Sequence, residues 1–243
     1  MAAARRHLKK GVCIRIAVGN ALEPAQLPRL VNAMLELLHA APKDVDIVID
    51  LSNVANWIPS LIHATSILVI KALPHLTDYR TVAMAASTFP APLPGKTNSV
   101  SMIPRTEFAA WRALLKKFEG ASPPIVRMPS FGDYGIQHPE GVEGLDYRVI
   151  DPPAAVRYAV SDEWYIAKKQ SIKKHGGAQF KQLAADLIAS GQFYGEDHCK
   201  GCTGIKQCAL GKLSAGSLGY WRRLGTTHHF TVVVEELQAM AAL

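Results

Sequence analysis

Cysteine is scarce in this 243-residue sequence: Cys13, Cys199, Cys202 and Cys208 are the whole complement, too few for a disulfide framework in a chain this long. Charged residues make up only 19% against 49% hydrophobic ones, a balance that excludes a disordered chain. Neither a collagen-type repeat nor a sustained heptad is present. Long apolar runs are missing too. The most apolar helix-like stretch, residues 61–73, falls short of the ~20 residues of a membrane span and contains His63 and Lys71, so it reads as a core helix and no membrane partner is expected. The opening MAAARRHLKK lacks an apolar signal core, and the expected location is the cytoplasm.

What is present is a net charge of +7, which favours polyanionic partners without choosing among them. The tetrapeptide Pro94-Gly95-Lys96-Thr97 ends like a phosphate-binding loop, but Pro90 stands where its first glycine belongs, so nucleotide binding by that route is rejected.

Hydrophobic periodicity organises the chain. Strands are expected at 12–18, 45–51, 81–86, 124–128 and 155–159, with 164–167 as a hairpin return and a last strand at 229–235. Helices are expected at 24–38, 59–73, 104–118, 177–190 and 236–242. Such alternation predicts an α/β protein with a parallel sheet. One domain is expected over 1–243, with an irregular, cysteine-containing C-terminal third at about 160–228. In parallel α/β sheets function gathers at the carboxyl ends of the strands, which directs attention to Asp50, the segment after Arg127, the surroundings of Arg157, and His228 with His229.

Three stretches carry candidate chemistry. The loop from Arg127 to Pro139 concentrates Arg127, Asp133, Tyr134 and His138 between glycines; it reads equally as a site and as a structural turn. His228 and His229 would face opposite sides of a strand, so one of them at most would enter a pocket. His198, Cys199, Cys202 and Cys208 supply enough ligands for tetrahedral zinc, against the plainer reading of reduced loop thiols. The basic run Lys168, Lys169, Lys173, Lys174, His175 reads either as a phosphate contact or as a solvated segment.

The segments Ser130-Phe-Gly-Asp-Tyr-Gly-Ile-Gln-His-Pro139, Ala155-Val-Arg-Tyr158, Trp164-Tyr-Ile166 and Tyr220-Trp-Arg-Arg-Leu-Gly-Thr-Thr-His-His-Phe230 together resemble the Beta-protein family of bacteriophages and bacteria. The resemblance covers nearly the whole chain from Gly11. It implies a (β/α) TIM-like barrel, incomplete here because only about six of eight strands are legible, and left open or completed by a partner chain at the N-terminal sheet edge. It implies no established reaction, and only an association with phage-defence and mobile-element settings.

The expected site is one pocket at the carboxyl face that binds or hydrolyses a phosphate-containing or other anionic ligand. Asp50, Arg127, Tyr134, Arg157, Trp221 and Arg222 would hold the ligand, the arginines clamping its charge, while Asp133 or His228 would be the general base. The alternative is a non-catalytic module that binds nucleic acid or a protein.

Overall fold

The computed structural model describes residues 11–18, 23–141 and 151–241; the opening MAAARRHLKK lies outside them. In chain order the elements are β1 (Val12–Ala17), α1 (Leu27–Leu38), β2 (Val45–Asn53), α2 (Pro59–Ala72), β3 (Thr81–Ser87), β4 (Ser99–Pro104), α3 (Thr106–Phe118), β5 (Ser130–Asp133), β6 (Pro153–Val160), β7 (Glu163–Ser171), α4 (Ile172–His175), α5 (Gln179–Ala189), α6 (Lys200–Ala209) and α7 (Leu218–Ala241). None of the described helices is long and apolar enough to cross a membrane. The chain divides into two compact units, residues 1–88 with 106–134, and residues 89–105 with 135–243.

The first unit is the α/β architecture expected. Its sheet runs β1-β2-β3-β5, every pair parallel, with β1 at one edge. On α1, Leu27, Val31 and Leu35 recur every fourth position and are buried against Ile14, Ile16, Ile47 and Ile49 of the sheet. The helix ends where His39 turns left-handed at φ 50°. A register shift between Asp50 and Ser52 lets the Ser52 amide, two residues on, reach back to the Asp50 carboxylate at 2.8 Å.

The strand expected at 124–128 is absent, and its place is taken by β5 at Ser130–Asp133. Pro123, Pro124 and Pro129 cannot donate to a ladder, and Val126 is exposed.

The second unit is built differently. Its sheet, β4-β7-β6, is antiparallel throughout, so the strand around Arg157 does not extend the parallel sheet. The hairpin return is present as β7, and the stretch from 160 to 228 carries four helical segments in place of irregular chain. Helices α5, α6 and α7 enclose a core of Val156, Tyr158, Phe180, Leu183, Ile205 and Leu224.

The final strand expected at 229–235 is part of α7, a 24-residue helix. Its buried residues Trp221, Leu224, Gly225, His228, His229 and Val232 follow the three-and-four spacing of one helix face. The β-branched run Thr231-Val-Val-Val234 suggests a strand, but burial of that face outweighs a propensity of a few tenths of a kcal/mol per residue.

Candidate functional site

The residues singled out from the sequence are divided between the two units. At the first unit, Asp50 is 1% exposed and lies near the carboxyl end of β2. Arg15 of β1 donates to it through Nε at 2.5 Å, and the Tyr134 hydroxyl, just past β5, donates at 2.5 Å. Arg15 also donates to the Tyr134 oxygen at 2.9 Å. Burial, then the neighbouring Asp50, pushes the Tyr134 hydroxyl up to about 12. Arg15, which no sequence pattern singled out, is thus the cation that balances Asp50. Asp133 ends β5 in the same unit.

Arg127 departs from its expected role. Because β5 begins after it, Arg127 precedes the strand and stands at the amino end of the sheet. Its guanidinium donates to the carbonyls of Leu76 at 3.0 Å, Tyr79 at 2.6 Å and Arg80 at 3.2 Å. It holds the turn that leads into β3, and these donors are spent on backbone carbonyls.

Arg157, Trp221 and Arg222, in the second unit, do come together. They line a cavity of about 300 Å³ with Pro92, Leu93 and Lys168. An adjoining cavity of about 180 Å³ shares Arg157 and Arg222 and adds Phe89, Gln137 and His138. Arg157 donates to the Ile136 carbonyl at 2.9 Å and lies 5.2 Å over the Phe89 ring. No carboxylate among the described residues pairs with Arg157 or Arg222, and the Nε of Arg222 is buried without a partner. Burial, and then the charge of Arg222, pushes the Arg157 guanidinium down to about 10. Trp221 is fixed as a wall by its Nε1 bond to the Ala215 carbonyl at 2.6 Å and by stacking on Phe180 at 4.8 Å.

His228 is not on that wall. It is fully buried, stacked on Tyr158 with ring centroids 3.6 Å apart, and its Nδ1 lies 3.3 Å from Cys202 Sγ and 3.9 Å from Cys199 Sγ. It lines neither cavity; among the described residues His138 is the imidazole on the smaller one. The larger cavity also involves Lys168, which the sequence offered only as part of a basic run. Its ammonium donates to the Leu93 and Gly95 carbonyls at 3.2 and 2.5 Å and so pins the proline-rich loop.

The model of the Beta protein family matches residues 1–235 of the 243. The chain belongs to the Beta protein family. No curated protein and no solved structure matches it. The segments that carried the family resemblance include Arg157, Trp221 and Arg222 of the cavity wall and His228 beside the thiols, so this member of the Beta family draws on the same stretches for part of each place.

Proposed function

We propose that the cavity bounded by Arg157 and Arg222 binds a small anionic ligand bearing a phosphate or carboxylate group. The observation that carries the reading is the pair of guanidiniums on one cavity with no carboxylate partner among the described residues, one of them with a buried orphan donor. Two like charges half-withdrawn from water repel each other, and a bound anion would relieve that repulsion while giving each fork a planar acceptor. Pro92, Leu93, Leu218 and Trp221 supply an apolar wall for the remainder of the ligand. A hydrolytic step on such a ligand would draw on His138 as the proton acceptor.

Calorimetric titration with inorganic phosphate, pyrophosphate and a nucleoside monophosphate tests this. Arg157→Ala and Arg222→Ala should each weaken binding by about 1.5–3 kcal/mol, the worth of a hydrogen bond to a charged group. If neither variant changes the affinity, the cavity is not the anion site. If only long polyanions bind, with a steep salt dependence, the nucleic-acid-binding alternative replaces it.

A further inference from the structure

We propose that Cys199, Cys202, His228 and His198 together bind a structural zinc ion that ties α6 to α7 and β6. This set differs from the one the sequence suggests, with His228 in the place of Cys208. Six residues along an α-helix carry Cys208 about 9 Å and about 240° away from Cys202, too far for both to make Zn–S bonds of about 2.3 Å to one ion. The Cys208 thiol is buried in the apolar core of the second unit.

Three of the remaining four residues already stand together as a metal-ligand set, and the fourth, Cys202, touches one of them at His228 Nδ1. One ligand atom from each of His198, Cys199 and His228 lies within 4.8 Å of the others. Cys202 Sγ is 3.3 Å and Cys199 Sγ 3.9 Å from His228 Nδ1, which brackets the separation of about 3.5 Å that tetrahedral S and N ligands adopt around zinc.

The outer nitrogens are supported in the way metal-binding imidazoles usually are. His228 Nε2 donates to the Ala159 carbonyl at 2.8 Å, which leaves the Nδ1 lone pair facing the thiols. His198 Nδ1 lies 3.6 Å from the Glu235 carboxylate, while its Nε2 is buried with no hydrogen-bond partner, a cost that a bound cation would remove. Cys199 caps α6, its sulfur accepting from the Cys202 amide at 3.3 Å, and the Tyr158 hydroxyl meets Cys202 Sγ at 3.2 Å. With Cys202 closing the set, all four positions would be filled from the chain, and since His228 and Cys202 are fully buried the ion would be structural.

Elemental analysis of untagged protein, purified under reducing conditions without added metal, should find about one zinc per chain. Cys199→Ser and Cys202→Ser should lose it, and Cys208→Ala should keep it. Because the serine variants could fail to fold, Co²⁺ added to chelator-stripped, reduced wild-type protein provides a second readout. A tetrahedral visible spectrum with a thiolate-to-cobalt charge-transfer band is expected, and His198→Ala should alter its d–d envelope while retaining the charge-transfer band. Three results would overturn the site: no stoichiometric zinc together with no cobalt band, loss of zinc from Cys208→Ala, or a Cys199–Cys202 disulfide in the native protein.

Discussion

Gly201 faces the carbonyl of Leu224 so closely that a β-carbon built on it would lie 2.4 Å from that oxygen and 3.1 Å from the His228 amide. The absent side chain is what permits α6 and α7 to touch backbone to backbone, and the touch brings His228 to the thiols on either side of Gly201. Gly201→Ala must therefore separate the helices. It should destabilise the second unit by about 1–3 kcal/mol, as overpacking does, and lower its zinc content. Thermal unfolding and metal analysis of the same preparation check both effects, and an unchanged Tm would contradict the close approach.

Arg127→Ala should lower stability by about 1.5–3 kcal/mol, because the carbonyls of Leu76, Tyr79 and Arg80 lose a charged donor. Anion affinity, measured by the same calorimetry as for Arg157→Ala, should not change. A large loss of affinity with intact stability would return Arg127 to the ligand site.

Tyr134 titrates high because burial and the Asp50 carboxylate both oppose its ionisation. Its pKa in the fold exceeds that of the unfolded chain, near 10, so its contribution to stability is fully present below about pH 10 and is lost as pH rises toward about 12. The phenolate absorbance difference between wild type and Tyr134→Phe should accordingly emerge near pH 12. A midpoint near 10 would mean that the Tyr134–Asp50 bond does not persist in solution.

Lys168→Met removes the ammonium that holds the Leu93 and Gly95 carbonyls. Hydrogen exchange at residues 93–98 should quicken, and anion binding should weaken as the cavity wall loosens. Protection at the centre of β7 should persist, since the β4–β7–β6 ladder does not depend on that side chain. Unchanged exchange in the loop would show that the lysine does not anchor it.

The first unit was legible because its signals are local. Each strand of the parallel sheet is a short apolar run, each helix has a stripe at three-and-four spacing, and both patterns are written in consecutive residues. The strand expected at 124–128 rests on Ile125 and Val126, and the prolines that flank them bar it from the ladder. Asp50 and Tyr134 were visible as polar residues at or just past strand ends, but Arg15 was hidden as an ordinary alternating residue of β1 until pairing set it beside β2.

In the second unit the tertiary structure decided more. The buried face of α7 is filled by Gly225, His228 and His229 as well as by Trp221, Leu224 and Val232, so its helical period is invisible to a reading that counts only apolar residues. Sequence alone determined that cysteines and histidines were near enough in number and type to hold a metal ion. Which of them meet was decided by packing: His228 is 26 residues from Cys202 along the chain, and only the contact of α6 with α7 sets the two 3.3 Å apart. Local patterns follow from which residues adjoin in the chain, whereas ligand sets follow from which surfaces the core presses together.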